Sequence, residues 1–169
     1  WHHPLTPACY LMFAASGGLL ASIWLLALAD QSLNSKIYHL TYCLLILAWV
    51  VKGFWWRNLD RKLPESTMES ATGLGSFGKV RPLMPPHTSE NYLQTEMGFV
   101  VARRHALKLR GLSIFSGGFI PLILFVSYPS SAVILGLALS SHFVGVFIER
   151  WLFFAEAKHV VSLYYGEAH

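Results

Sequence analysis

Four stretches of this chain are each apolar for about 20 residues, the length a helix needs to cross the hydrocarbon core of a bilayer. They run over 7–29, 37–56, 109–128 and 132–154. A backbone in lipid must satisfy its own hydrogen bonds, so spans of this length admit only helices or a closed barrel. Continuous apolar runs without strict alternation select helices. The chain is therefore expected to be all-α, a polytopic transmembrane bundle with four spans.

Composition agrees. Of the 169 residues, 54% are hydrophobic and 13% charged, against about 25% charged in soluble domains. Four spans and one connection use the whole length, so no separate soluble domain is expected. The net charge of +4 does not point to nucleic acid, because the basic residues border spans, where cytoplasmic segments collect Lys and Arg. All but Lys36 fall at the ends of the second and fourth spans, at the start of the third, or in the central loop. The central loop and both chain ends are thus expected on the cytoplasmic side. Trp1-His-His-Pro, with no charged n-region ahead of the first span, is not expected to be a cleaved signal peptide. It is the pattern expected where further sequence precedes. Cys9 and Cys43 lie within spans as small packing residues, and without a CxxC the chain is not expected to hold its own iron–sulfur cluster.

Ala14, Gly18 and Ser22 recur every four residues in the first span, and Ala132, Gly136 and Ser140 do so in the fourth. Small faces of this kind let helices approach closely in lipid. Trp49, Phe54, Trp55 and Trp56 beside Lys52 and Arg57 are expected to anchor the second span at the interface, with Lys52 snorkelling. Pro121, after Gly117 and Gly118, is expected to bend the third span. The turn 128–131 makes the third and fourth spans an antiparallel pair.

Between the second and third spans, residues 57–89 form a Gly/Pro-rich loop. The spacing then predicts a helix over 90–110, with Glu96, Arg103 and Arg110 on a charged strip opposite Leu93, Val100 and Leu107. Gly73-Leu-Gly-Ser-Phe-Gly matches GxGxxG, but no strand precedes it and no kinase catalytic motif follows, so a nucleotide loop is rejected. A flexible turn or a partner-docking loop remains.

In the fourth span His142, Glu149 and Glu156 follow at intervals of seven. Seven residues turn a helix through about 700°, so the three share one face with about 20° of drift per step. Ionisable groups at membrane depth face protein, water or ligand. Two readings stand. In one, Glu149 and Glu156 form structural ion pairs near the interface, Glu149 with Arg103 or Arg104. In the other, the row is a proton path and hydrogen-bonding wall for a quinone, with Trp151, Phe153 and Phe154 flanking the flat ring. Haem is disfavoured: of His39, His105, His142 and His159, only His142 lies deep.

The segment Glu69-Ser-Ala-Thr-Gly-Leu-Gly-Ser-Phe-Gly-Lys-Val-Arg-Pro-Leu, Pro85-Pro-His-Thr-Ser-Glu-Asn-Tyr, Glu96-Met-Gly-Phe-Val-Val-Ala-Arg-Arg-His-Ala and the closing Glu149-Arg-Trp-Leu-Phe-Phe-Ala-Glu-Ala-Lys-His-Val-Val resemble membrane anchor subunits of the dimethyl sulfoxide reductase type. That family includes sulfite dehydrogenase anchors. The resemblance covers most of this chain and matches the C-terminal half of an eight-helix subunit. It implies a non-catalytic subunit of a bacterial inner-membrane oxidoreductase complex. An iron–sulfur electron-transfer subunit and a molybdopterin catalytic subunit would be its partners. It also implies electron exchange with menaquinone or ubiquinone, no haem and no metal of its own. On this reading His142, Glu149 and Glu156 handle protons or contact quinone, with Arg103, His105 and Trp151 in support. Gly73, Gly75, Gly78, Lys79, Arg81 and His87 would dock the iron–sulfur partner. Two rivals are a haem b-binding cytochrome subunit and a proton-coupled transporter component.

Overall fold

The computed structural model describes residues 3–31, 34–61, 67–81, 83–84 and 100–156. All its regular elements are helices: α1 (Leu5–Leu28), α2 (Ser35–Arg61), the short α3 (Met68–Thr72) and α4 (Val100–Arg104), then α5 (Ala106–Ser127) and α6 (Ala132–Ala155). Helices α1, α2, α5 and α6 are each long and apolar enough to cross a membrane. The chain is a multi-pass helical membrane protein.

Helix α6 packs on α1 and on α5, α1 packs on α2, and α2 closes the ring against the middle of α5. Two apolar layers fill the bundle. Cys9, Phe13, Trp49, Trp55, Trp56 and Phe153 occupy the half nearer the long connection. Leu20, Ile23, Phe125, Leu135 and Leu139 occupy the other. The start of α1, the ends of α2 and α6 and the start of α5 lie on one side, tied by Trp55 to Thr6 and by Arg110 to Asp60 and Glu156.

The spans begin and end within a few residues of expectation except α2, which continues to Arg61. The helix expected over 90–110 is described only from residue 100. There it is interrupted at His105, whose φ of −109° and ψ of 16° lie outside the helical region. Its residues 90–99, Glu96 among them, lie outside the described residues.

Two expected packing roles are corrected. The inward face of α1 is Cys9, Phe13, Ser16, Gly17, Leu20 and Ile23, while Ala14, Gly18 and Ser22 face outward. Four-residue spacing identifies a small face without saying which way it points. The large residues at 13, 20 and 23 set the rotation by burying more apolar area. On α6, Gly136 does approach a neighbour, the ring of Trp24. Trp49, Trp55 and Trp56 are buried at 6–8% exposure, not displayed at an interface, and only Phe54 of that cluster faces out. Lys52 does not snorkel. It is 1% exposed, because the face of α2 that carries Thr41, Leu45, Ala48, Trp49, Trp55 and Trp56 carries it inward as well.

Candidate functional site

The bend expected at Pro121 takes the form of a π-helical turn over Phe115–Phe119. Proline has no N–H to donate to the carbonyl four residues back, so Gly117 O loses its helical partner. The wide turn also sends the Ile120 N–H to Phe115 O, which frees Ser116 O. Two successive carbonyls, stripped of their helical donors, must find others in a membrane interior. They do so across the bundle. Ser116 O accepts from Ser141 Oγ at 2.6 Å. Gly117 O receives Trp49 Nε1–H at 3.1 Å and His142 Nδ1 at 2.7 Å.

Helices α5 and α6 meet closely enough for this because Gly117 faces Gly145. A Cβ on Gly145 would collide with the Gly117 backbone and lie 2.7 Å from Ser113 O. Gly117 O can only accept, so Nδ1 of a neutral His142 carries the proton and Nε2 holds a lone pair. The ring is 1% exposed. Its Nε2 has no hydrogen-bond partner among the described residues, and Gly17 of α1 stands opposite that edge.

Seven residues on, about 10 Å along the axis, Glu149 is fully buried. Its Oε1 meets Lys52 Nζ and its Oε2 accepts from Arg150 Nε. Lys52 also lies over the Trp55 ring at 3.6 Å from its centroid, a placement that favours a desolvated cation. The structural ion pair read for Glu149 is present, but its partners are Lys52 and Arg150 in place of Arg103 or Arg104. Arg103 instead donates through Nε to Ala155 O at 3.1 Å, capping the end of α6. A helix C-terminus leaves carbonyls that a cation satisfies.

One further step outward, Arg110 donates to Glu156 Oε1 through Nε at 2.9 Å and grips both carboxylate oxygens of Asp60 at 2.8 and 2.9 Å. Burial raises the Glu156 carboxyl above its usual range against the opposing pull of Arg110. Arg110 was expected on the charged strip of an amphipathic helix. It is 12% exposed, because two carboxylates from α2 and α6 hold it inward.

The row His142, Glu149, Glu156 therefore does face into the bundle, and each member is the centre of one polar layer. Two flanking expectations fail. Trp151 is 47% exposed and Phe154 46%, on the outside of α6, and Phe153 alone of the three is buried. His105 is exposed at the break between α4 and α5, away from the row. Gly73, Gly75, Gly78, Lys79 and Arg81 lie together on the exposed connection. There Thr67 and Ser70 form a reciprocal cap on α3 and Gly73 ends it with φ of 69°, the left-handed conformation glycine adopts freely. His87 and His159 lie outside the described residues.

Residue patterns missed Lys52, Asp60 and the π turn. Lys52 had a signal: three- and four-residue steps from Ala48 and Trp49 place it on the inward face. Asp60 had none, since it precedes Arg110 by 50 residues. No three His, Cys, Asp or Glu converge as metal ligands among the described residues.

Compared with protein-family models, curated proteins and solved structures, the chain matches none.

Proposed function

We propose that this chain is a membrane anchor subunit of a molybdopterin/iron–sulfur oxidoreductase of the dimethyl sulfoxide reductase type, exchanging electrons between the iron–sulfur subunit and bilayer quinone. The observation that carries the proposal is Nε2 of His142, unpartnered among the described residues, an acceptor held in one tautomer at the deep end of an inward polar column. Quinone turnover couples electrons to protons, so its site needs a titratable group inside the bilayer. Imidazole changes charge near neutral pH. Glu149 and Glu156 then serve mainly to hold the helices in register through their ion pairs. Proton exchange falls to His142.

The exposed connection suits docking of the iron–sulfur partner: Lys79 and Arg81 lie near Phe77, which is 88% exposed. The excess of basic residues beside this connection favours the cytoplasmic side of a bacterial inner membrane. Sequence resemblance is the second support.

The test is mild detergent extraction at native expression level, followed by metal analysis and electron paramagnetic resonance. Molybdenum and iron should co-elute with the chain, and the iron–sulfur signals should change when a quinol or quinone analogue is added. A chain that elutes free of both metals would overturn the proposal and return the column to the transporter reading.

A further inference from the structure

Charge does not balance in the middle polar layer. Lys52 and Arg150 bring two positive charges to the single negative charge of Glu149. Lys52 is 1% exposed and Glu149 0%, whereas Arg150 retains 19%. The surplus therefore reaches the bundle surface through Arg150. Its Nε–H is committed to Glu149, its Nη1 is buried with no hydrogen-bond partner among the described residues, and its guanidinium rests on the Tyr10 ring at 3.9 Å. Tyr10 belongs to α1 and is 44% exposed, so the cation sits in the outer seam between α1 and α6. Phe147 and Phe154 flank it at three- and four-residue spacing and are exposed, as lipid-facing side chains are. Arg150 precedes Glu156 by six residues, about 9 Å along the axis, on the side of the 57–89 connection.

A cation at that depth is costly without a counter-charge. Among the described residues, Glu149 is the only carboxylate that Arg150 meets, and Glu149 is already shared with Lys52. The seam lies open on the described bundle beside exposed apolar side chains. A phosphodiester carries one negative charge and acceptor oxygens that a guanidinium fork engages well. A headgroup with no cation of its own would bring the layer to neutrality. We propose that Arg150, held on Tyr10 in the seam between α1 and α6, binds the phosphodiester of an anionic phospholipid in the leaflet next to the 57–89 connection. The site is independent of the quinone reading.

The test titrates the full chain, purified in detergent, with short-chain phosphatidylglycerol, the matching phosphatidylcholine, and inorganic phosphate. The readout is the thermal unfolding midpoint. Phosphatidylglycerol should raise the midpoint saturably, with an apparent affinity roughly tenfold above that of phosphatidylcholine, the scale of one charge-assisted contact. Arg150→Gln should erase the difference, while Lys36→Gln, exposed at the opposite end of the bundle, should keep it. Equal responses to the two lipids, or a preference that survives Arg150→Gln, would overturn the site. Saturation by inorganic phosphate alone would overturn its assignment to lipid. If Arg150→Gln does not fold, lipid retained by the wild-type protein after detergent exchange decides. Phosphatidylglycerol enriched over phosphatidylcholine supports the site, and no enrichment removes it.

Discussion

His142 Nδ1 lies 2.7 Å from the carbonyl oxygen of Gly117, the carbonyl that Pro121 leaves without its helical donor. A helix defect on α5 is thus closed by a side chain on α6, and Trp49 of α2 closes the same oxygen from its other side. One proline joins three helices through a single acceptor.

That sharing predicts non-additive substitutions. His142→Leu and Trp49→Phe each remove one donor and leave Gly117 O with the other, so each hydrogen bond should count for about 1 kcal/mol. Together they orphan a buried carbonyl, and the pair should cost a further 1–3 kcal/mol, roughly the penalty of an unsatisfied polar group. A double-mutant cycle of unfolding in mixed micelles measures this. Additive effects would show that Gly117 O finds another partner.

The meeting of α5 and α6 predicts a severe effect from one methyl group. Gly145→Ala places a Cβ against backbone atoms of Gly117 and Ser113, which cannot rotate away as a side chain would. Overpacking of this kind costs about 1–3 kcal/mol and occasionally more, and the upper end is expected here. Gly18→Ala, with nothing near its Cβ, should stay within about 0.5 kcal/mol. The unfolding midpoints of the two variants provide the comparison.

Glu69 predicts a pH response in the connection. Its carboxyl is held below the usual range by its own backbone amide and by the Thr67 side chain, with the Val80 amide adding to the shift. A depressed carboxylate pKa means that the ordering contribution is present above the unfolded value, near 4.5, and is lost as pH falls through the folded one. The Val80 amide resonance should therefore titrate below pH 4.5. Glu69→Gln should remove that titration. A midpoint at or above 4.5 would contradict the contact.

What the sequence made legible follows from what is periodic. Four spans, the antiparallel pairing of α5 with α6 and the inward row of His142, Glu149 and Glu156 all rest on spacing within one helix. The failures concern rotation and long-range partners. The exposed Ala14/Gly18/Ser22 face has the same spacing as a packing face. Lys52 resembles an interfacial lysine until the aromatic face beside it is known to point inward. Asp60 and Arg110 meet only because α2 outruns its apolar stretch by five residues, from 56 to 61, and α5 begins alongside. The π turn shows as a proline in the sequence, but the capture of its free carbonyls depends on where Trp49 and His142 stand.

The Lys52–Glu149 pair predicts a stability pattern opposite to that of a dispensable polar group. Replacing Glu149 alone strands two cations, and breaking a buried pair in this way typically costs about 3–5 kcal/mol, whereas replacing Lys52 alone leaves Glu149 paired with Arg150. Glu149→Gln should fall in that range, and Lys52→Met should cost less. For Glu149→Gln the loss should also reach Arg150, whose Nε–H donates to the same carboxylate. Replacing both removes the surplus charge of Lys52 together with the anion and leaves Arg150 as the one cation of the layer, partly exposed at 19%. The double variant should accordingly be more stable than the sum of the singles implies, by about 2 kcal/mol or more. Unfolding free energies of the four proteins close the cycle. If Glu149→Gln alone unfolds no more easily than wild type, the pair is not a structural clamp, and Glu149 returns as a candidate for proton exchange.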